Sequence, residues 1–174
     1  MSDVDFFFNP ESFAVIGASE NPKKGGNIVI RNLQEFGYRG KIYPINPKGG
    51  IIADLPAYPS LGDVPGNIEL AMIVIPRDRV PGAVRECGEK GVKGVIISTA
   101  GFSDSGEEAG RKLEQETREI AAGYGMRIMG PNSIGTINAT DGFVTSITSL
   151  VPPKHAGAVS FLSLIHISEP TRPY

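Results

Sequence analysis

The sequence predicts an α/β fold of the Rossmann-like type, a doubly wound parallel sheet with helices on both faces. Short and continuously apolar segments, such as residues 70–75 (LAMIVI), recur along the chain and are typical of strands covered on both sides. Stretches with apolar residues at helical spacing lie between them. Strands that alternate with helices in this way form a parallel sheet.

The individual elements follow from the same patterns. The run FAVIGA is a buried first strand that ends at a glycine, and Ile28, Val29, Leu33 and Phe36 then form one apolar stripe of a helix. Pro44 indicates that the second strand lies at an edge of the sheet or ends there. The predicted strands are 13–18, 41–46, 70–75, 94–98 and 126–129, and the predicted helices start after Gly26 and cover 80–90 and 107–122.

Composition excludes several classes of protein. The chain has 174 residues, of which 40% are hydrophobic and 21% charged, and this balance fits neither a disordered polymer nor a membrane protein. A net charge of −2 provides no broad positive field for nucleic acid. The single cysteine, Cys87, excludes an internal disulfide framework and a multi-cysteine metal site. We therefore expect a soluble, cytoplasmic protein without nucleic acid or membrane partners.

The chain divides unequally. Residues 7–150 form the main predicted domain, and 151–163 begin a second domain with the strand-like run AGAVSFLS after Pro152-Pro153. Residues 162–172 (LSLIHISEPTR) resemble a translated sequencing adapter, so residues 164–174 are expected to be a non-native tail.

A doubly wound sheet binds its ligand in the loops at the carboxyl ends of its strands. The first such loop, residues 17–26, runs from a strand into a helix, where backbone N–H groups and the helix dipole favour a phosphate. Ser19 could donate a hydrogen bond and Lys24 could supply a cation. The loop lacks the Gly-Lys-Ser/Thr ending of a Walker loop, and Ser19 replaces the second glycine of the dinucleotide fingerprint. An ordinary strand-to-helix turn is the alternative.

The second strand ends in Asn46-Pro47-Lys48 and carries no acid. NAD-binding domains usually place an acid there to hold the ribose hydroxyls. A cation at this position suits an additional phosphate on the adenosine ribose, which NADP and coenzyme A both carry. Lys48 could equally be a solvated surface lysine.

Two further loops could touch a ligand. Gly101-Phe102 could offer backbone donors and an apolar ring, although the spacing favours a tight turn with Phe102 in the core. Asn132, in the loop 130–135 (GPNSIG), could bind a ligand amide or pin its own loop. The sequence contains no paired carboxylates, metal-ligand cluster or nucleophile elbow, so it predicts a binding site without catalytic residues.

Taken together in chain order, these segments resemble the CoA-binding domain of the ADP-forming acyl-CoA synthetases. This family includes the acetate–CoA ligases and is related to the succinyl-CoA synthetase alpha subunit. Ser133 stands where many relatives have cysteine, so no thiol chemistry is expected there. The resemblance rests on VIGAS (15–19) with Pro22, Lys24 and Gly26, RNL (31–33), IYPINPK (42–48), YPSL (58–61), LAMIVIP (70–76), GVK (91–93), STAGF (98–102) and GPNSIG (130–135).

The resemblance implies that the cofactor is coenzyme A. It implies that the first loop and Lys48 hold the phosphates, and that the later loops line the path of the adenosine and pantetheine groups. The implied cofactor-binding residues are Gly17, Ala18, Ser19, Pro22, Lys24, Gly26, Asn46, Pro47, Lys48, Ile75, Pro76, Ala100, Gly101, Phe102 and Asn132.

The implied reaction of the whole enzyme interconverts acyl-CoA, ADP and phosphate with free acid, CoA and ATP. ADP, ATP and Mg would be bound by partner domains of the same enzyme, a flavodoxin-like CoA-ligase domain and an ATP-grasp domain. The flavodoxin-like domain would begin within 151–163 and would carry the phosphorylated histidine, for which no position here matches. The present chain would bind CoA without catalysing the reaction. Alternatives are a stand-alone CoA-binding or regulatory protein, the CoA-binding domain of a protein lysine acetyltransferase, and an NADP-dependent oxidoreductase domain.

Overall fold

The computed structural model describes residues 4–152 together with the backbone of 160–162 and 167–168. Its helices are α1 (Gly25–Glu35), α2 (Val80–Glu89) and α3 (Glu108–Gly123). Its strands are β1 (Ser12–Ile16), β2 (Lys41–Ile45), β3 (Ile51–Ile52), β4 (Leu55–Pro56), β5 (Leu70–Ile73), β6 (Gly94–Ile97), β7 (Arg127–Met129), β8 (Thr136–Asn138), β9 (Phe143–Val144), β10 (Ser160–Leu162) and β11 (Ile167–Ser168).

The main sheet has the strand order β11-β7-β6-β5-β1-β2, and the five strands from β7 to β2 run parallel. The short β11 pairs antiparallel with β7. Among the described strands β2 lies at one edge, so the position of Pro44 in the sheet agrees with the prediction. The predicted parallel α/β fold is thereby confirmed.

Helices cover both faces of this sheet because alternate strand residues point to opposite sides. Phe13 and Val15 of β1 belong to the apolar cluster that contains the buried face of α1. Ala14 and Ile16 belong to the cluster that contains α2 and the buried end of α3. All five residues of β1 are buried, and the last four of them (13–16) are apolar, as is typical of a strand covered on both faces.

The strand order reverses at β1, which has β2 on one side and β5 on the other. The chain therefore leaves β1 toward one half of the sheet and enters β5 in the other half, and a crevice opens at the carboxyl ends of these two strands. The predicted strands 13–18 and 70–75 extend beyond the observed ones by two residues at this edge, because the chain turns there into the loops.

Smaller sheets flank the main one. β3 and β4 form a hairpin, and β8 pairs antiparallel with both β9 and β10. The predicted domain boundary after residue 150 stays a prediction. The predicted tail 164–174 lies outside the described residues except for the backbone of β11, and His155 also lies outside them.

Within the described part of the chain, no helix has the length and apolar character needed to cross a membrane. The cytoplasmic location expected from the sequence stays a prediction.

Candidate ligand site at the carboxyl edge of the sheet

Two glycines allow three backbone segments to meet at the crevice. Gly17 has a φ of +93°, and a Cβ placed on it would lie 2.3 Å from the carbonyl oxygen of Val74, which follows β5. A Cβ on Gly26, in the first turn of α1, would lie 2.3 Å from the carbonyl oxygen of Gly17. No side chain fits at either position, so the start of α1 packs directly on the loop that follows β1.

The first loop uses some of its backbone donors internally and leaves others available. The N–H groups of Gly17 and Ala18 both donate to the carbonyl of Ile45 at 3.2 Å. The N–H groups of Gly25 and Gly26 have no acceptor among the described residues. These two groups lie at the positive end of the α1 dipole, which is a favourable position for an anion.

The side chains around this helix start match an anionic ligand. Lys24 is the N-cap residue of α1, its side chain is exposed, and it makes no capping hydrogen bond. The first turn of α1 contains no acidic residue. The Ser19 hydroxyl oxygen accepts a hydrogen bond from the N–H of Asn21 at 3.2 Å, and Pro22 is exposed at the tip of the loop.

Asn27 is a site residue that the sequence analysis missed. Its side-chain nitrogen donates to the Ser19 carbonyl at 2.7 Å, and its side-chain oxygen accepts from Arg31 Nε at 3.0 Å. The residue is buried, with 1% of its surface exposed. In the sequence, the signal for this role is an asparagine directly after Gly25-Gly26, at the start of the predicted amphipathic helix.

Asn46 joins the second loop to the first. Its Nδ2 donates to the Ala18 carbonyl at 2.7 Å, and its Oδ1 accepts from the N–H of Lys48 at 2.9 Å. Pro47 and the Lys48 side chain are exposed beside this junction. The exposed Lys48 ammonium therefore extends from a loop whose backbone is held against the helix start.

An acidic side chain reaches the second loop from the first one. A Cβ placed on Gly50 would lie 3.5 Å from a carboxylate oxygen of Glu20. The end of the second strand itself carries no acid. The approach of Glu20 from the neighbouring loop was not predicted from the sequence.

The loop after β5 is tied to the loop after β6. The Ile75 carbonyl accepts a hydrogen bond from the Thr99 hydroxyl at 2.7 Å, and Pro76 is exposed next to it. Arg77 donates to the Gly101 carbonyl at 2.6 Å and to the carboxylate of Glu107 at 2.9 Å. Neither arginine contact was predicted from the sequence.

Phe102 points into the core. Its side chain has no exposed surface and packs in the apolar cluster on the α2 and α3 face. The N–H groups of Gly101 and Phe102 donate to the Asp104 carboxylate at 3.1 Å and 2.7 Å. The prediction of a tight turn with a buried ring is confirmed. The alternative, in which Gly101 and Phe102 offer backbone donors and an apolar ring to a ligand, is wrong because Asp104 takes both N–H groups and the ring is in the core. Ala100 is exposed beside this turn.

The loop 130–135 holds Asn132 in an uncommon conformation. The Gly130-Pro131 peptide is cis, and Asn132 has a φ of +56° with an exposed side chain. Its N–H donates to the Thr99 carbonyl at 3.0 Å, and its Nδ2 donates to Asp104 Oδ2 at 3.3 Å. Asn132 therefore pins its loop and still presents part of its amide to solvent.

One segment without a predicted role lies beside the helix start. Asn32 of α1, 2% exposed, donates to the carbonyls of Ser146 and Thr148 at 2.9 Å each and accepts from the N–H of Leu150 at 3.3 Å. These bonds place Ile147 within 3.5 Å of the position of a Cβ on Gly25. Residues 146–150 thus form one wall near the free N–H groups.

The described part of the chain contains no group of three or more His, Cys, Asp and Glu side chains that could hold a metal ion. Burial raises the pKa of the Cys87 thiol, aided by the neighbouring Glu86 carboxylate, so this thiol is held in its protonated and unreactive form.

All predicted site residues lie at or beside the carboxyl edge of the parallel strands.

A doubly wound sheet with a glycine-bounded loop, free N–H groups at a helix start and an exposed lysine beside them is typical of the nucleotide-binding class of α/β domains. The chain belongs to the CoA binding domain family, which matches residues 11–139. The family and the cofactor predicted from the sequence are thereby confirmed.

Several similar proteins are ADP-forming ligases. The chain is 51% identical over 135 residues to the alpha subunit of acetate–CoA ligase (ADP-forming) II of Pyrococcus furiosus, covering 78% of this chain and 29% of the relative. It is 43% identical over 161 residues to the acetate–CoA ligase (ADP-forming) of Methanocaldococcus jannaschii, covering 92% of this chain and 22% of the relative.

A solved structure shows the same fold. Acetyl-coenzyme A synthetase 1 of Ca. Korarchaeum cryptofilum, in complex with phosphate and ADP, is 39% identical with a TM-score of 0.79, and the match covers 84% of this chain and 31% of that one. The chain thus spans less than a third of the length of each of these three proteins. The comparisons do not favour a stand-alone regulatory protein, an acetyltransferase or an NADP-dependent oxidoreductase.

Proposed function

We propose that this chain supplies the CoA site of a larger ADP-forming acyl-CoA ligase. The observation that carries this proposal is the meeting of Gly17, Val74 and Gly26 at the start of α1, where two N–H groups are free and Lys24 is exposed. Coenzyme A carries a diphosphate and a 3′-phosphate, and such a site provides backbone donors and cations for both.

In this proposal the helix start binds the diphosphate. The N–H groups of Gly25 and Gly26 donate to phosphate oxygens, and Lys24 lies at the same turn to neutralise charge. Gly17 and Gly26 act by having no side chain, because any Cβ would occupy the space in which the three backbone segments meet. Asn27 and Asn46 hold the loop in position through the Ser19 and Ala18 carbonyls.

Lys48 is assigned to the 3′-phosphate of the adenosine. Its backbone is fixed by Asn46 while its side chain remains exposed, so the ammonium can reach a phosphate beyond the loop. The remaining path of the cofactor runs along the loops after β5, β6 and β7, where Pro76, Ala100 and Asn132 line it. Phe102 supports this path from below: its ring lies in the core, and its N–H and carbonyl are bonded to Asp104 and Ser105.

The rest of the reaction is assigned to other parts of the larger protein. The described residues offer a binding site. Conversion of acyl-CoA, ADP and phosphate to free acid, CoA and ATP, and the reverse reaction, would take place where additional domains meet it. We propose that residues 7–150 form the CoA-binding unit, that 151–163 lead into a flavodoxin-like domain, and that an ATP-grasp domain binds ADP, ATP and Mg.

Calorimetric titration of the full chain with CoA, dephospho-CoA and NADP tests the assigned ligand. We expect CoA to bind more tightly than dephospho-CoA, because the 3′-phosphate contact is lost in the latter, and more tightly than NADP. A folded chain that binds NADP more tightly, or does not bind CoA, would contradict the proposal.

A further inference from the structure

Asp104 connects two loops of the candidate site. Its carboxylate accepts hydrogen bonds from the N–H of Gly101 at 3.1 Å and 3.2 Å and from the N–H of Phe102 at 2.7 Å. It also accepts from Asn132 Nδ2 at 3.3 Å, across 28 residues of sequence. One side chain thus organises the turn after β6 and contacts the loop after β7.

This contact decides which end of the Asn132 amide faces outward. A carboxylate only accepts hydrogen bonds, so the amide must direct its NH₂ group toward Asp104. Its carbonyl oxygen, Oδ1, then lies on the opposite side of the amide. The side chain is exposed and its backbone is held by the bond from its N–H to the Thr99 carbonyl, so this oxygen is presented in a defined direction.

We propose that Asp104 is a positioning residue that orients the Asn132 amide, so that Oδ1 accepts a hydrogen bond from an N–H group of the bound cofactor. Coenzyme A offers such groups in its two pantetheine amides and in its adenine amino group. The inference rests on the proposed function, since it concerns the same site, and it adds a residue and a direction of hydrogen bonding to it.

The test is a double-mutant cycle measured by calorimetric CoA titration on the full chain. Asp104→Asn keeps the size and an oxygen for the two backbone N–H groups, but its own NH₂ group conflicts with that of Asn132, so the amide is free to turn over. Asp104→Ser is the second variant, because a serine hydroxyl can still accept from a backbone N–H while it no longer reaches Asn132. Asn132→Ala removes the amide itself.

The matched control is Asp141→Asn. Asp141 also accepts from an asparagine amide, that of Asn138, at 2.7 Å. Its turn packs on the end of α1 near Tyr38, where a Cβ on Gly142 would lie 2.3 Å from the Phe36 carbonyl. This is the end of α1 farthest from the candidate site.

We expect D104N, D104S and N132A each to weaken CoA binding about fivefold or more, and D141N to leave it unchanged. In the N132A background D104N should weaken CoA binding no further, because the two residues act through one contact. Thermal unfolding of each variant identifies those that remain folded.

Two results would overturn the inference. The first is that D104N and D104S bind CoA as tightly as the wild type, and the second is that the effects of D104N and N132A on the free energy of CoA binding add in full. A folded wild-type chain that does not bind CoA would instead refute the proposed function, so the two failures can be told apart.

Discussion

Asn46 Nδ2 donates a hydrogen bond to the Ala18 carbonyl at 2.7 Å, and this bond joins the loops that follow the two neighbouring strands β1 and β2. The same side chain fixes the backbone of Lys48. Because Lys24 lies in the first of these loops and Lys48 in the second, Asn46 fixes the spacing between the backbone segments that carry the two lysines assigned to the cofactor.

Asn46→Ala should therefore lower CoA affinity about tenfold and the free energy of unfolding by about 1–2 kcal/mol, since two hydrogen bonds are lost. Asn138→Ala is the matched control, because the Asn138 side chain also joins two segments: it donates to the Phe8 carbonyl and to the Asp141 carboxylate, and it accepts from the Asp141 N–H. It should lose comparable stability while retaining CoA affinity. Calorimetry and chemical denaturation measure the two effects, and equal CoA affinities for the two variants would refute the assigned role.

Lys48→Met should weaken the binding of CoA about fivefold to thirtyfold, because a charged hydrogen bond to phosphate is removed. The binding of dephospho-CoA should not change, since that ligand lacks the 3′-phosphate. Lys41→Met, at the other end of β2 and also exposed, is the control and should leave both affinities unchanged. If K48M weakens the binding of CoA and of dephospho-CoA equally, the lysine contacts a part of the cofactor other than the 3′-phosphate.

The sheet could be predicted because its strands are buried on both faces and therefore read as uninterrupted apolar runs, as in β1 and β5. The positions of the loops followed from the same reasoning. The burial of Phe102 was also predictable, because the spacing of this segment favoured a tight turn with the ring in the core.

The contacts that hold the loops could not be predicted, because they join residues far apart in sequence. Asn32 bonds to carbonyls 114 and 116 residues away, and Asp104 meets Asn132 across 28 residues. An asparagine or aspartate in a loop has many local partners available, and only the fold determines which partner it takes.

Gly26→Ala should be strongly destabilising and should abolish measurable CoA binding. The added Cβ would lie 2.3 Å from the Gly17 carbonyl oxygen and 3.0 Å from the Ala18 Cα, so α1 must move away from the loop. We expect a loss of about 1–3 kcal/mol in the free energy of unfolding, as is typical of overpacking.

Gly82→Ala is the control for this substitution. Gly82 lies within α2, is exposed, and has no atom within 4 Å of the position of its Cβ. Alanine should raise the free energy of unfolding by about 0.5–1 kcal/mol, since it favours the helix, and should leave CoA binding intact. If G26A proves as stable as G82A, this would contradict the close packing of α1 on the first loop.

Glu69 lies just before β5, at the amino ends of the parallel strands and therefore away from the candidate site. Its contacts predict an effect of pH on stability. Its carboxylate accepts from the N–H of Glu11 at 2.8 Å and pairs with Lys93 at 2.5 Å. Partial burial acts to raise the pKa of this carboxyl group, but the bonds from Lys93 and Glu11 outweigh it and hold the pKa below its usual value of 4.5.

A carboxyl group with a lowered pKa in the folded state stabilises the fold at every pH above its unfolded value, and this contribution is lost as the pH falls through the folded value. Glu69→Gln should therefore reduce the free energy of unfolding by about 1 kcal/mol near neutral pH. The difference from the wild type should close as the pH is taken below 4.5. Glu116→Gln, an exposed position on α3, should show no such difference, and neither variant should change CoA affinity. Urea denaturation across this pH range measures the effect, and a difference between the wild type and E69Q that is independent of pH would contradict the ionic role of Glu69.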